Sequence, residues 1–405
     1  MRLLARVATA ALIATLVPVL AGTASSSAAA PEPTPAPLRL AANAVPGQYI
    51  VTLGDKVSPA EVAKRLGLKP SFLYSKALNG FAAPLTPLQL TLVRNALGVK
   101  SVEQDAKLKS EWTLATSQAP RSPSSSWGLD RIDQKAWDTD NGTGDGQFTV
   151  EGNGAGVTAY ILDTGIDYKH TEFGGPDNTR ATFGFDAVGD GGNGQDCNGH
   201  GTHVAGTVAG KTYGVASKAK LVSVRVLGCD GTGTYSGMIA GFDWVAKNAV
   251  QPAVLNGSLG GDKSVALNDA ATALSDAGVL PIIAAGNSAK DANFVSPASA
   301  LRVVTVAASN KWDEETDFSN WGAGVELYAP GQDILSAKLG GGSVLQSGTS
   351  MAAPHATGVA VLYKQKNPDA DPGEIAEFLE SESTKDALSK VSKSSPNQLL
   401  FTGGV

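Results

Sequence analysis

Cysteine and histidine are scarce in this chain of 405 residues, which contains two and four of them, respectively. Two cysteines exclude a disulfide-dense small domain and a four-cysteine zinc site. There is no long basic run and the formal net charge is −6, which disfavours a nucleic-acid partner. With 42% hydrophobic, 17% charged and 6% aromatic residues, the composition excludes a disordered chain, a coiled coil and a collagen. It leaves ample apolar material for a large core.

Glycine, by contrast, is in excess, with 47 residues. This indicates many tight turns or close approaches of the backbone to a ligand. The length exceeds that of one typical domain, so we expect a division of the chain.

Residues 1–29 have the organisation of a secretory signal peptide. Arg2 and Arg6 precede an apolar run at 7–20, and small residues follow up to position 29. This run is too short to span a membrane, and no later stretch reaches 18 uninterrupted apolar residues. Small residues at positions 24, 28 and 29 each permit cleavage. We expect a secreted, extracellular protein without membrane contact after processing, the alternatives being a membrane anchor or a buried helix.

Residues 30–44 form a proline-rich spacer without the means to pack a core. Residues 45–114 then alternate between strand and helix patterns, which predicts a small α+β unit. The predicted order is strand, helix, strand, helix, strand, at 47–53, 59–68, 76–85, 87–97 and 99–109.

A Pro/Ser-rich linker at 119–126 leads into a region of α/β character. Continuous apolar runs predict buried parallel strands at 156–162, 219–227, 252–258, 279–285 and 302–307. Small-residue and amphipathic segments predict helices at 201–209, 236–249, 265–277, 350–365 and 372–380. This alternation predicts a doubly wound, mostly parallel sheet with helices on both faces and a site at the carboxyl ends of the strands.

The first candidate catalytic segment ends a predicted buried strand. The apolar residues 160–162 lead into Asp163, and a Thr-Gly turn follows. Aspartic proteases also use Asp-Thr-Gly but need a second catalytic aspartate of the same kind, and this chain has one such tripeptide. Taken alone, Asp163 is equally typical of a turn or a helix cap.

The second segment contains two of the four histidines, His200 and His203, among small residues at 199–207. Zinc binding is one interpretation, but the metalloprotease pattern HExxH requires a glutamate between the histidines and none is present. The small residues allow a helix to begin close to a sheet with His200 at its start. We interpret His203 as a structural residue of that helix.

The third segment, Ser347–His355 (SGTSMAAPH), places Ser350 beside small residues at a predicted helix start. Backbone N–H groups and the helix dipole favour a developing anion there. A plain capping motif is the alternative.

Together the three segments are far more specific than any one of them. A serine that transfers an acyl group needs a base, and the base needs an acid that holds its tautomer. The order Asp163, His200, Ser350 is that of subtilisin and differs from those of chymotrypsin and the α/β-hydrolases. From about Trp127 onward the chain resembles the subtilase family, in particular its proteinase K and aqualysin branch. The leading unit, with NGFAAPL and SVEQD, resembles the propeptide that serves these proteases as folding aid and inhibitor.

The resemblance implies a role for each residue. Ser350 corresponds to the nucleophile, His200 to the general base and then acid, and Asp163 to its orienting partner. Asn287 matches the oxyanion asparagine, with the Ser350 N–H as second donor. The chain is therefore expected to be a monomeric endopeptidase that acts on polypeptides and needs no cofactor for the chemistry.

Glycine-rich segments resemble the walls of the family's substrate cleft. They would pair with an extended peptide through backbone hydrogen bonds, which predicts broad, apolar-tolerant specificity. Ordinary glycine turns are the alternative. The residues are Gly231, Thr232, Gly233, Ser258, Leu259, Gly260 and Gly286.

The two cysteines, Cys197 and Cys229, are expected to pair, as the matching cysteines do in the aqualysin branch. On the loop-entropy model this bridge would add ~3.5–4 kcal/mol. A free catalytic Cys197 beside His200 is the competing interpretation.

Two calcium sites are implied by the resemblance, and calcium takes oxygen ligands of the kind present. A solvated acidic surface is the alternative for each. The first site would use Asp130, Asp133, Gln134 and Asp140, and the second Leu301, Val303 and Glu326. Because the proteinase K pattern has an aspartate at the last position, Glu326 is a departure from it.

We expect self-cleavage after Leu114, with the tail 111–114 remaining in the cleft as inhibitor and 115–405 forming the catalytic domain. Two other classes are weighed. An α/β-hydrolase esterase needs Ser before Asp and His and a GxSxG motif, which GTSMA does not match. A catalytically dead binding or chaperone module would lack a catalytic residue, and none is missing.

Overall fold

The computed structural model describes residues 34–110, 113–114, 126–392 and 394–405. The expected signal peptide, nearly all of the linker and positions 111–112 lie outside these residues. From Pro35 onward the chain forms one unit. No helix of the described residues is long and apolar enough to cross a membrane.

Residues 34–110, here called the leading subdomain, form a sheet with two helices on one face. The predicted strands and helices are present, with two additional short strands at 38–39 and 72–74. Both helices begin with proline and a side-chain cap, from Ser58 and Thr86. The sheet order is β1-β5-β2-β4-β3. The elements are β1 (Leu38–Arg39), β2 (Ala44–Leu53), α1 (Pro59–Arg65), β3 (Phe72–Tyr74), β4 (Gly80–Pro84), α2 (Pro87–Arg94) and β5 (Val99–Lys109).

The second half of the expected spacer belongs to this sheet. β1 pairs in parallel with β5, and Ala36 is buried with its N–H donating to Arg94 O at 2.7 Å. The spacer interpretation therefore does not hold for residues 36–44, because a short apolar segment can add to a free sheet edge despite nearby prolines.

Residues 126–405, the main domain, contain a nine-stranded sheet in the order β19-β20-β16-β15-β13-β11-β7-β9-β8. Its pairs are parallel except β19 with β20. The strands that follow the leading subdomain are β6 (Thr113–Leu114), β7 (Thr158–Asp163), β8 (Ala181–Asp186), β9 (Lys220–Arg225), β10 (Thr232–Thr234), β11 (Ala253–Gly257), β12 (Gly261–Asp262), β13 (Leu280–Ala284), β14 (Val295–Ser296), β15 (Val304–Ser309), β16 (Leu327–Pro330), β17 (Ile334–Ala337), β18 (Ser343–Ser347), β19 (Thr384–Lys385) and β20 (Gln398–Leu399).

Helices cover both faces of this sheet, which confirms the doubly wound architecture. Alternate residues of β7 face opposite layers: Ala159 and Ile161 belong to the cluster that contains α4 and α7, whereas Tyr160 and Leu162 belong to the cluster of α5 and α6. The helices are α3 (Trp127–Ile132), α4 (His200–Ala209), α5 (Tyr235–Asn248), α6 (Val265–Asp276), α7 (Thr349–Lys366) and α8 (Pro372–Glu382).

The order of the strands reverses between β7 and β11, because β9 lies on one side of β7 while β11 and β13 lie on the other. A crevice outside the carboxyl ends of the strands is expected at such a switch point. Asp163 ends β7, and Ser258 follows β11 directly. The fold therefore brings two of the predicted site segments to one edge.

Candidate active site

Asp163 and His200 form a fully buried pair. His200 Nδ1 lies 2.7 Å from Asp163 Oδ1, and both side chains are 0% exposed. Asp163 Oδ1 also accepts the Thr164 N–H at 2.7 Å. The carboxylate thus holds one ring nitrogen of His200 and sets the orientation of the imidazole.

The start of α4 is packed against the turn after β7. A Cβ atom on Gly201 would lie 2.2 Å from the carbonyl oxygen of Gly165, so a larger residue would push α4 away. Gly199, which caps the helix, has a φ of 107°, a conformation that favours glycine. These glycines explain why His200 can stand beside Asp163.

Asp196 organises the loop before His200, a role that sequence reasoning missed. Its Oδ1 accepts from the Gly199 N–H at 3.0 Å and the Thr164 hydroxyl at 2.9 Å, and its Oδ2 from the Thr202 N–H at 2.9 Å. No motif marks this residue. Its partners come from the end of β7 and the start of α4, which are far apart in the sequence.

Ser350 is the second residue of α7 and is 2% exposed. Its Oγ donates to Ser258 O at 3.0 Å, and Ser258 Oγ donates to Ser350 O at 2.9 Å. Asn256 Nδ2 donates in turn to Ser258 Oγ at 2.8 Å. The nucleophile candidate is therefore fixed to the end of β11.

Asn287 lies in the loop after β13. Its Oδ1 accepts from the Thr349 N–H at 2.8 Å and the Thr349 hydroxyl at 2.9 Å. This orients the amide so that its NH2 end points away from Thr349. Asn320, which the sequence did not indicate, supports the loop by donating to Ala285 O at 2.7 Å and accepting from the Lys290 N–H at 3.0 Å.

The predicted cleft walls are paired with the leading subdomain. β10 pairs antiparallel with the end of β5, with Gly233 opposite Leu108 and Thr232 opposite Lys109. Lys109 also forms an antiparallel bridge with Gly260 on the other wall. Both glycine-rich segments therefore pair with this extended strand of the leading subdomain through the main chain.

A cavity of about 400 Å³ lies beneath this strand and reaches Ser350. Its lining combines small residues with lysine, asparagine and apolar side chains, and it includes the oxyanion candidate Asn287. Among the predicted substrate-binding residues, it is lined by Thr232, Leu259, Gly260 and Gly286.

Cys197 and Cys229 form a disulfide, as expected. It joins the loop before His200 to the loop of the β10 wall. Asn198 Nδ2 donates to Cys229 O at 3.0 Å, and the buried Arg225 lies 3.3 Å from Cys197 Sγ. The free-thiol interpretation is excluded for this structure.

Two other histidines are buried away from Asp163. His203 Nε2 contacts Ile334 O at 3.0 Å and Val344 O at 3.1 Å. His355 Nδ1 contacts Met351 O at 2.9 Å. Burial lowers the pKa of His203 to about 3 and that of His355 to about 4. Both are therefore neutral residues of the core at neutral pH.

The first calcium set is only partly assembled. Asp130 already accepts the Gly144 N–H at 3.1 Å and the Gly146 N–H at 3.0 Å. Gln134 directs its amide nitrogen to Asp130 Oδ1 at 2.6 Å, and Asp140 lies exposed in a separate turn. Asp133 Oδ1, however, is buried with no hydrogen-bond partner among the described residues, which suits a cation.

The second set centres on Glu326. Its carboxylate accepts the Thr305 N–H at 2.6 Å, and Leu301 O accepts the Thr272 hydroxyl at 2.9 Å. Val303 lies between these segments. Burial, together with the nearby Glu380 carboxylate, raises the pKa of Glu326 to about 8. Within the described part of the chain, no three His, Cys, Asp or Glu side chains are grouped to hold a metal.

Comparisons with known proteins identify the family of this chain. Residues 154–398 match the family described as Peptidase_S8, the subtilase family. The chain is 41% identical over 389 residues to an extracellular serine proteinase of Thermus sp. (strain Rt41A), covering 89% of this chain and 91% of that protein. It is 40% identical over 390 residues to alkaline serine exoprotease A of Vibrio alginolyticus, covering 92% and 71%. A solved structure of a cold adapted subtilisin-like serine proteinase matches with a TM-score of 0.65 and 46% identity, covering 68% of this chain and 97% of that one.

Proposed function

Because the chain belongs to the subtilase family of serine endopeptidases, we propose that it is a secreted endopeptidase with Asp163, His200 and Ser350 as its catalytic triad. The observation that carries this proposal is the fully buried 2.7 Å contact between His200 Nδ1 and Asp163 Oδ1. This contact fixes the imidazole in an orientation from which its other ring nitrogen would act on the serine hydroxyl.

In the proposed mechanism, Ser350 Oγ turns from Ser258 O toward His200 Nε2 and attacks the substrate carbonyl carbon. His200 takes the hydroxyl proton and Asp163 stabilises the resulting imidazolium. The proton then passes to the leaving amine, and an acyl-enzyme remains. Water attacks the ester with His200 again as base, which releases the acid and restores Ser350.

Asn287 and the Ser350 N–H would stabilise the oxyanion. The two contacts from Thr349 hold the Asn287 amide in place before the reaction, which is the property that makes such a donor effective. Replacing the matching asparagine in subtilisin costs ~10²–10³ in turnover, and Asn287→Ala should have an effect on that order.

The cleft supports specificity that depends mainly on the substrate backbone. β10 and Gly260 already bind β5 in this way. The side chain of Leu108, next to Lys109, is buried in a cluster with Tyr235 and Leu259, so this part of the cleft accepts an apolar side chain. Polypeptide substrates with broad sequence tolerance follow from this arrangement.

The leading subdomain would act as propeptide and intramolecular inhibitor, since β5 lies where a substrate would bind. The first 114 residues, which include this subdomain, carry 12 Lys+Arg and 6 Asp+Glu, whereas the remainder of the chain carries 20 and 32. Opposite charges favour association of the two parts. Residues 1–29 would direct export, in agreement with extracellular relatives.

Calcium would stabilise the main domain, with Asp133 as the best supported ligand because its buried Oδ1 has no hydrogen-bond partner in the described part of the chain. A chelator should then lower the thermal unfolding midpoint of wild type but have little effect on Asp133→Asn. An equal decrease in both proteins would contradict a site at Asp133.

Hydrolysis of casein by wild type and Ser350→Ala tests the catalytic assignment. The leading subdomain of both proteins is first removed by a separately added protease. We expect a loss on the order of 10⁶-fold, the scale known from subtilisin itself. A phosphonylating reagent should label wild type but not Ser350→Ala. Ser347→Ala, the same change three residues earlier, is the control and should keep both labelling and activity. Unchanged hydrolysis by Ser350→Ala would refute the proposal.

A further inference from the structure

Two charged side chains lie on opposite walls of the cavity that reaches Ser350. Asp262 ends β12, which continues the wall that contains Gly260. Lys290 belongs to the loop after β13, which also carries Asn287. Lys290 Nζ lies 3.5 Å from Asp262 Oδ1, so this pair joins the two walls. Of the described main-domain residues that line the cavity, these two are the charged ones.

The main chain of each charged residue is held in place. The Lys290 N–H donates to Asn320 Oδ1 at 3.0 Å, and Lys290 O accepts the Trp321 N–H at 3.1 Å. Asp262 O accepts the Tyr235 hydroxyl at 2.7 Å, and β12 pairs antiparallel with β14. The side chains themselves are 41% exposed for Lys290 and 50% exposed for Asp262. The backbone therefore fixes the positions of the two charges, while each side chain can turn from its partner to a bound group.

A segment that lies across the cleft already reaches this pair. Asn43 of the leading subdomain directs its amide nitrogen to Asp262 Oδ2, at a distance of 3.5 Å. Asn43 lies beside β5, since its carbonyl oxygen accepts the Lys107 N–H at 3.0 Å. One carboxylate oxygen of Asp262 thus faces Lys290 and the other faces the bound segment. A polar side chain of a bound polypeptide can therefore contact the pair from the cleft.

The direction of the bound strands assigns this cavity to the acyl side of a substrate. β5 runs toward Ser350 and ends with Lys109 paired to Gly260, whereas β6 pairs with Ser347 further along the chain. A substrate strand in the place of β5 would run in the same direction, so its residues at this wall precede the attacked bond. The cavity also contains Asn287, the proposed oxyanion donor. The side chain next to the attacked carbonyl therefore enters the space between Asp262 and Lys290.

We propose that Asp262 and Lys290 determine the charge specificity for the residue on the acyl side of the scissile bond, an inference that rests on the proposed function of Ser350. A charged side chain that enters the cavity loses hydration and meets one like and one opposite charge, which largely cancel. The intact pair therefore favours uncharged side chains over both lysine and glutamate. Without Lys290, the Asp262 carboxylate would attract a basic side chain, and without Asp262, Lys290 would attract an acidic one.

The test compares three peptides that differ only in the residue before the scissile bond, which is leucine, lysine or glutamate. The enzyme is purified after removal of the leading subdomain, and kcat/KM is expressed relative to the leucine peptide so that changes in overall turnover cancel. Lys290→Met should raise the relative value for lysine roughly fivefold, the upper range for a partly exposed charge pair, and lower that for glutamate. Asp262→Asn should have the opposite effect. The double variant should return both ratios close to those of wild type.

Lys263→Met is the matched control, because it removes the same charge next to Asp262. Lys263 Nζ contacts Asn293 O at 3.0 Å, and Lys263 is not among the described residues that line the cavity. At about 0.15 M salt, where more distant charges are screened, this variant should keep the wild-type ratios. Unchanged ratios in Lys290→Met and Asp262→Asn, or an equal shift in Lys263→Met, would overturn the assignment. If wild type hydrolysed none of the peptides, the proposed function itself would fail, whereas hydrolysis of all three at equal rates would refute only the role of this pair.

Discussion

The leading sheet and the main sheet differ in how they are covered. α1 and α2 cover one face of the leading sheet, in a cluster with Val51 and Phe81. Its other face, with Ile50 and Tyr74, packs against α5 and α6 of the main domain. The nine-stranded sheet has helices of the main domain on both faces. Helices of the main domain, which the leading subdomain would inhibit, thus cover the second face of the leading sheet.

Polar contacts also join the leading subdomain to the helices α5 and α6 of the main domain. Asp243 of α5 accepts the N–H groups of Ser75, Lys76 and Ala77 at 2.9, 2.6 and 2.9 Å. In the other direction, Asp105 accepts from the Ser236 N–H at 3.0 Å at the start of α5, and Glu103 contacts Ser264, the cap of α6. Carboxylates at helix N-termini are favourable. The attachment is therefore specific, yet it can be lost without opening the main sheet.

The largest expected effect concerns the leading subdomain alone. Without the main domain, residues such as Ile50, Tyr74 and Leu108 become exposed, which removes roughly 5 kcal/mol or more of apolar burial. This is comparable to the whole stability of a small domain. The isolated segment 34–110 should show little secondary structure by circular dichroism and gain it on addition of the Ser350→Ala main domain. Cooperative folding of the isolated segment would contradict this difference between the leading sheet and the main sheet.

Acid should affect the main domain, since the four histidines all lie outside the leading subdomain. His355 stays neutral in the folded state but takes a proton near pH 6.5 when unfolded, so stability is lost as pH falls from about 6.5 to about 4. The free energy of unfolding decreases by about 3 kcal/mol over this range. Urea unfolding of the Ser350→Ala main domain between pH 7 and pH 4 measures it. His355→Gln should reduce the pH dependence and leave the part due to His203, whose pKa is also lowered, and an unchanged slope would contradict the argument.

Asp243→Ala should weaken inhibition by the leading segment. The change leaves three N–H groups of residues 75–77 without their acceptor, which costs about 2 kcal/mol or roughly 30-fold in affinity. Asp243→Asn keeps one oxygen acceptor and should lose less. The inhibition constant of the added segment against the mature enzyme gives the comparison. Equal affinities for wild type and Asp243→Ala would show that apolar packing alone holds residues 75–77 against α5.

Local patterns in the sequence were sufficient for most of the fold. The buried strands and the helices that carry His200 and Ser350 begin within two residues of their predicted starts, because each is a continuous apolar or small-residue segment. β8 was missed, since its residues Thr182 and Phe183 are exposed and break the apolar pattern. Asp196 and Asn320 were missed for another reason: they act through contacts between distant segments, which no local pattern encodes.

The smallest expected effect is a pH dependence of the affinity of the leading segment for the main domain. Desolvation raises the pKa of Asp105 and of Glu103 in the bound state, whereas both carboxyl groups are exposed to water in the free segment. The bound state therefore holds protons more tightly, and affinity is highest at low pH and decreases as pH rises through the bound-state pKa values. We expect the inhibition constant to increase as pH rises above about 4, the ordinary pKa range of these carboxyl groups. Asp105→Asn still caps α5 but does not titrate, so it should reduce this slope. An identical slope in the variant would mean that other groups govern release, and that the polar contacts add specificity without pH sensitivity.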